Sequence, residues 1–189
     1  MLPDRQRSPT DPVAPFSGDD AAMASDDERI ARRDLVRRGY DLISHHYHRD
    51  DEMPTANKGD GEATHSSWIE ELGSLLDPGA RVLDLGCGAG IPATKLLADA
   101  GFTVTGVDIS QVQVERARSL VPNAEIVQAD MAVWESPPAR FDGIVSLYSI
   151  FHLPLDDQRQ LIPRLADGSP RMDTSWRSSD TGCSTAMRI

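Results

Sequence analysis

Residues 81–90 read Arg-Val-Leu-Asp-Leu-Gly-Cys-Gly-Ala-Gly, an apolar run that meets three glycines at alternate positions and leads into Ile91-Pro92. A short apolar run bounded by glycine is a buried strand. Gly86, Gly88 and Gly90 carry no Cβ, so the backbone can turn sharply there and a ligand can lie directly against the main chain. Pro92 suits the first turn of a helix, where its missing N–H costs nothing, and Ala93-Thr94-Lys95-Leu96-Leu97-Ala98 favours helix. The unit is strand, glycine turn, helix, and it suits a nucleotide-like cofactor.

Two other readings of this turn are weaker. A dinucleotide-binding Gly-x-Gly-x-x-Gly turn seats a pyrophosphate on the helix N-terminus. Here the third glycine comes one residue early, Ile91 stands where that fingerprint wants glycine, and Asp84 sets a carboxylate where a pyrophosphate would be repelled. A cofactor carrying an ammonium and a sulfonium fits better. A turn with no ligand would weaken local stability for no structural return.

The chain around the turn alternates strands and helices. Ser25-Asp26-Asp27-Glu28 is a capping box, and Val36, Tyr40, Ile43 and Tyr47 then recur as the stripe of an amphipathic helix over 26–48, with Glu28–Arg32 and Asp34–Arg38 pairs on its wet side. A second helix runs from Ser66 or Ser67 to Leu76. Phe102 to Val107 is a β-branched strand that ends on Asp108, 22 residues beyond Gly86, about where a βαβ unit places an acid against ribose hydroxyls. Ser110, with Gln113 three residues on, caps a helix buried on Val114, Ala117 and Val121. Ala124 to Ala129 is a third strand, ending on Asp130, and Ile144 to Ser149 a fourth, apolar enough for burial on both faces. Gln158 to Leu165 begins a further helix that contains Pro163. Asp84, Asp108 and Asp130 thus fall at the ends of three strands, and in a parallel α/β sheet those ends open on one cleft.

Over residues 68 to 162 the chain resembles the class I S-adenosylmethionine-dependent methyltransferases, whose first motif, hydrophobic-Leu-Asp-hydrophobic-Gly-x-Gly-x-Gly, it matches at all nine positions from Val82 to Gly90. The resemblance implies a Rossmann-like α/β fold, a doubly wound and mainly parallel sheet whose first four strands are recognisable. It implies that Asp84 and the Gly86–Gly90 backbone hold the methionine part of S-adenosyl-L-methionine, that Asp108 takes the ribose hydroxyls, and that Asp130 and the Met131 main chain flank adenine. Cys87, Ile109 and Ser146 complete the expected cofactor site, Cys87 also as a small residue that fits a tight turn. Tyr40 and Tyr47 could close over the cofactor with their ring faces, although their place on the apolar stripe favours core packing. His152, in Phe151-His152-Leu153-Pro154, stands where the acceptor approaches and is the candidate base, set against a histidine that only bonds loop backbone. Methyl transfer from a sulfonium is an in-line displacement, so positioning supplies most of the catalysis.

The family's sheet has seven strands in the order 3-2-1-4-5-7-6. Residues from Asp167 on have neither alternation nor a helical stripe, so strands five to seven are expected to be missing, as in a chain truncated or shifted in frame after about residue 166. The fourth strand then becomes an exposed apolar edge. The organisation expected is a disordered tail over 1–24, rich in Pro, Asp, Ser and Ala, a helical cap over 25–80, the cofactor-binding core over 81–166, and an irregular tail over 167–189.

Composition narrows the partners. A formal net charge of −11 opposes the phosphate attraction that dominates nucleic-acid binding. No apolar run approaches the ~18 residues of a membrane span, the N-terminus lacks a signal core, and two cysteines make no disulfide framework or zinc spacing. His45, His46 and His48 with Asp50 and Asp51 lack a distant ligand motif to complete a metal site. The expectation is a cytoplasmic enzyme that methylates a small molecule, without nucleic-acid or membrane partner and without a metal. The alternatives are an inactive S-adenosylmethionine-binding fragment or regulatory protein and, third, a nicotinamide-dependent oxidoreductase.

Overall fold

The structure, a computed structural model, describes residues 25–47, 65–135, 141–167, 177–178 and 184–188. Six strands form one sheet in the order β3-β2-β1-β4-β6-β5. Strands β1 (Arg81–Leu85), β2 (Thr103–Asp108), β3 (Glu125–Gln128) and β4 (Gly143–Leu147) are parallel to one another, with Val82 in register with Val104 on one side and with Gly143 on the other. The four expected strands are all present, each within a few residues of its expected bounds.

The helices are α1 (Asp26–Tyr47), α2 (His65–Ser74), α3 (Ala93–Asp99), α4 (Gln111–Leu120) and α5 (Leu155–Asp167), with a 3-10 turn over Ile150–His152. Period-two alternation sends successive strand residues to opposite faces. Val82, Val104 and Val145 pack with Ile69 and Leu72 of α2 and Leu97 of α3. Leu83, Leu85, Val107 and Ile144 face the other way, toward Leu161 and Leu165 of α5. The same alternation puts Asp84 on the Val82 face, beneath α3. Helix α2, expected as part of the cap, therefore belongs to the core. No helix among the described residues is long and apolar enough to cross a membrane.

Several local expectations are met atom by atom. Ser25 and Glu28 form the reciprocal capping box, with the Ser25 N–H donating to Glu28 Oε2 at 2.9 Å and the Glu28 N–H to Ser25 Oγ at 3.3 Å. Those bonds hold the Glu28 carboxyl below its usual range. Arg38 pairs with Asp34 at 3.0 Å. Val114, Ala117 and Val121 are buried. Pro92 stands one residue earlier than expected, as the cap before α3.

The C-terminal part corrects the sequence reading. Residues read as an irregular tail contribute β5 (Arg177–Ser178) and β6 (Ser184–Arg188), and β6 runs antiparallel along β4 from Gly143 opposite Arg188 to Leu147 opposite Ser184. The expected bare edge of β4 is covered. Ladder hydrogen bonds are made by backbone groups, so a segment without apolar alternation can still cap an open edge. The order still departs from the mainly parallel sheet of seven strands, since β6 and β5 form an antiparallel pair beyond β4.

Gly90 has φ +81°, and a Cβ there would stand 2.9 Å from Cγ2 of Val121, the residue that caps the C-terminal end of α4. Gly101 has φ +91° with nothing within 4 Å of a Cβ. Gly101→Ala should cost about 1 kcal/mol of left-handed strain, while Gly90→Ala adds overpacking and should cost about 3 kcal/mol. Urea unfolding of both variants checks this; equal losses would show that α4 does not press on the turn.

Candidate active site

Strand β1 ends in a left-handed glycine turn, with φ of +73° at Gly86, +55° at Gly88 and +81° at Gly90. Strand β2 holds it: the Gly86 and Cys87 N–H groups donate to Val107 O at 2.7 and 3.1 Å. Asp108, at the end of β2, takes the Gly88 N–H at 2.9 Å on Oδ2 and the Ser110 N–H at 2.8 Å on Oδ1. Burial raises its pKa, while the Ser110 and Gly88 N–H groups pull it back down. The three glycines have different tasks. A Cβ on Gly86 would collide with Ser149 Cβ at 2.1 Å, whereas one on Gly88 would meet only the Gln113 amide at about 4 Å. Gly88 is therefore the place where the cavity reaches the main chain.

That cavity has a volume of about 380 Å³, within the ~300–1,000 Å³ of small-molecule sites. Its floor is the turn, with Asp84, Gly86, Cys87, Gly88, Ala89, Ile91 and Pro92. Asp108 and Ile109 stand at one side and Asp130 and Met131 beside them. Val36 and Tyr40 of α1 close it from above, and Tyr148, Ser149 and His152 close it beyond β4. The parallel strands thus bring Asp84, Asp108 and Asp130 to one cavity, as their positions in the sequence lead one to expect.

Asp84 is 2 % exposed and accepts a hydrogen bond from Thr94 Oγ1 at 2.6 Å. Burial pushes its carboxyl up to about 7 against that bond, with Asp108 adding repulsion. A buried acid of this kind is short of a cation. Burial likewise raises the Cys87 thiol, which has the tight, enclosed position expected of it: a Cβ on Gly106 of β2 would stand 2.9 Å from Cys87 Sγ.

Helix α1 keeps part of its expected face, since Val36 and Tyr40 line the cavity, but departs from it at Ile43. Ile43 is 46 % exposed, and Leu35 and Leu42 are 65 % and 82 % exposed, while Arg29, Arg33, Tyr40 and Ser44 turn inward. Arg33 Nε donates to Asp130 Oδ2 at 2.7 Å, and its Nη1 bonds Asp157 of α5, which also pairs with Arg29. Asp41 accepts from Ser110 Oγ at 2.6 Å, and Ser44 Oγ donates to Gln113 Oε1 at 2.8 Å. Buried charges and amides must find partners, and here those partners outrank the apolar stripe.

Tyr40 Oη lies 2.9 Å from His152 Nε2, the rings meeting edge to face at 5.5 Å between centroids. His152 is half-buried, and desolvation lowers its pKa, so the ring stays neutral to a lower pH than a solvated histidine. Tyr148, next to it in the cavity wall, is the one non-glycine residue among those described with positive φ, at +56°.

Two expected cofactor residues are placed off the cavity wall. Gly90 is off the cavity wall, and its missing Cβ makes room for α4. Ser146 is buried behind the wall, where its Oγ donates to Leu85 O at 2.9 Å and meets Ser149 Oγ; Ser149 takes the wall position. Tyr47 ends α1, and its side chain lies outside the described residues. His48, Asp50 and Asp51 also lie outside them, and no group of three metal-ligating side chains converges among those described. Arg33, Gln113, Tyr148 and Ser149 line the cavity without having been singled out as site residues. Only Gln113 carried a signal, as the presumed second half of a helix cap.

Comparison with known proteins agrees with this geometry. Residues 82–168 match the family described as Methyltransferase domain. The chain is 34% identical over 137 residues to the 27-O-demethylrifamycin SV methyltransferase of Amycolatopsis mediterranei, covering 63% of this chain and 49% of that protein. Among solved structures it resembles a (4+2)-cyclase, SpnF, with 26% identity, a TM-score of 0.57 and coverage of 70% of this chain and 56% of that one. It shares its fold with the magnesium protoporphyrin IX methyltransferase of Synechocystis, solved with bound S-adenosylmethionine, at 20% identity and a TM-score of 0.57, covering 89% of this chain and 100% of that one. The chain spans half or less of the length of the first curated relatives it matches. The nine-residue turn motif, the strand-end acids and the domain match fall on one sheet, and over residues 82–168 the chain is similar to the methyltransferase domain family, with the Rossmann-like fold of class I S-adenosylmethionine-dependent methyltransferases.

Proposed function

We propose that this protein methylates a hydroxyl group of a small molecule with S-adenosylmethionine as donor. The observation that carries the proposal is the opening of the Gly88 turn, the buried Asp84, the part-buried Asp108 and the Tyr40–His152 pair onto one cavity. The residues suit the donor: an acid short of a cation for its ammonium, and the Gly88 main chain bare of any Cβ contact. Asp84 and the turn hold the amino-acid end, Asp108 with Ile109 the ribose, and Asp130 with Met131 the adenine. When bound, S-adenosylmethionine supplies an electrophilic methyl group.

His152 is the base. Tyr40 already sets a hydroxyl at Nε2 within 2.9 Å, which marks where an acceptor hydroxyl can stand. The neutral ring takes the proton there as the oxygen is methylated, and burial keeps it neutral near pH 7. Helix α1 covers one side of the cavity with Val36 and Tyr40. The net charge of −11 favours a small acceptor over nucleic acid, and a cytoplasmic setting goes with this reading. The likeness to a cyclase supports a second reading, ring formation in place of methyl transfer. Incubation with donor labelled in the methyl group and a panel of hydroxylated compounds separates the two: label in the product supports the first, a changed but unlabelled product the second.

Asp84 gives a pH test. The free protein holds a proton on it below about pH 7, and a bound ammonium favours the carboxylate, so binding expels that proton. Affinity for S-adenosylhomocysteine should fall by up to about tenfold per pH unit below pH 7 and level off above it. Calorimetric titrations across this range should show that slope in the wild type and a flat, weaker profile in Asp84→Asn. A wild-type profile without slope would remove the carboxylate from the site.

For His152, replacement by Gln should lower kcat by about 100-fold or more with an unchanged KM for the donor. The wild-type rate should rise with pH to a plateau, its inflection below the ordinary histidine pKa of about 6.5. A His152→Gln enzyme with full kcat would leave the histidine as a loop-bonding residue.

A further inference from the structure

Gln113 should serve α4 as the second half of a capping box, and it does not. Ser110 Oγ accepts from the Gln113 N–H at 3.2 Å, as a cap requires, but the Ser110 N–H that the Gln113 side chain would normally receive is taken by Asp108 at 2.8 Å. The amide is thereby released from the helix end. It is 3 % exposed, and it lines the cavity.

Its orientation is determined. One amide atom meets Ser44 Oγ at 2.8 Å and Arg116 Nη1 at 3.4 Å. A guanidinium has no lone pair, so the atom facing it is the oxygen, and Nε2 must point the other way. That nitrogen lies 3.9 Å from the position a Gly88 Cβ would occupy. Asp108 bonds the main chain of the same glycine. A fixed N–H donor and a carboxylate acceptor therefore both stand beside Gly88.

We infer that Gln113 is a cofactor-binding residue for the vicinal hydroxyls of the ribose, its Nε2 donating to a hydroxyl oxygen whose own proton goes to Asp108. A hydroxyl both donates and accepts, so this pair satisfies it, whereas Asp108 alone uses only half its capacity. A further lone-pair position on the Asp108 carboxylate remains beyond those turned to the Gly88, Ser110 and Ile109 N–H groups. Ser44 and Arg116 are positioning residues, and through Ser44, whose main-chain oxygen and hydroxyl both engage Arg116, helix α1 becomes part of the ribose site.

The inference rests on the S-adenosylmethionine-binding reading, and one set of titrations tests each separately. Wild type, Gln113→Leu and Ser44→Ala are titrated with S-adenosylhomocysteine and with its 2′-deoxy and 3′-deoxy analogues, with thermal melting as the check on folding. Gln113→Leu should bind S-adenosylhomocysteine about tenfold more weakly, and Ser44→Ala about threefold, as expected for one lost hydrogen bond and one loosened bond. For one of the two deoxy analogues, Gln113→Leu and wild type should bind equally. Equal binding of S-adenosylhomocysteine by both proteins, or the same loss for every ligand, overturns the ribose role and leaves the cofactor reading intact. Failure of the folded wild type to bind S-adenosylhomocysteine overturns both. Should Gln113→Leu not fold, the Ser44→Ala loss and its absence with one analogue decide.

Discussion

The structure depends on the left-handed turn at the end of β1, and that turn depends on β2. Three N–H groups, of Gly86, Cys87 and Gly88, are received by Val107 O and Asp108 Oδ2. Glycine supplies the positive φ values at little steric cost, and the bonds select this conformation from the many a glycine run can adopt. The neighbouring strand must make room for it, which Gly106 does by leaving space for the Cys87 sulfur. The same carboxylate receives the Ser110 N–H at the start of α4, so turn, Asp108 and helix cap are one hydrogen-bonded unit.

Over this unit lies a helix held by polar contacts more than by apolar ones. Arg33 joins Asp130 and Asp157, Asp41 meets Ser110, and Ser44 meets Gln113 and Arg116. Buried ion pairs contribute little net stability, because desolvation offsets most of the attraction, but removing one partner strands the other. Their effect is positional. They fix the rotation of α1 so that Tyr40 meets His152, and they tie the cavity's roof to Asp130 at its side.

Much of this was legible in the chain. The Gly86–Gly90 turn, the acids at the strand ends and the Ser110 cap are local signals whose geometry follows from a few neighbouring residues. What was not legible depends on partners far apart in sequence. Arg33 and Asp130 are separated by 97 positions, and nothing near either one says that α1 turns its arginines inward and leaves Leu35 and Leu42 out. Gly90 and Ser146 were read as site residues because they belong to a motif or a strand end, yet one is a packing glycine and the other a tie between β4 and β1. The pairing of β6 with β4 was equally hidden, because it rests on backbone hydrogen bonds that leave no side-chain pattern.

Titration calorimetry of the wild type and of Asp108→Ala with S-adenosylhomocysteine, alongside a nicotinamide cofactor, tests most directly that the cavity is an S-adenosylmethionine site. The prediction is saturable one-to-one binding of S-adenosylhomocysteine that is lost in Asp108→Ala, with no binding of the nicotinamide. A folded wild type that ignores S-adenosylhomocysteine, or that binds the nicotinamide cofactor instead, would contradict it.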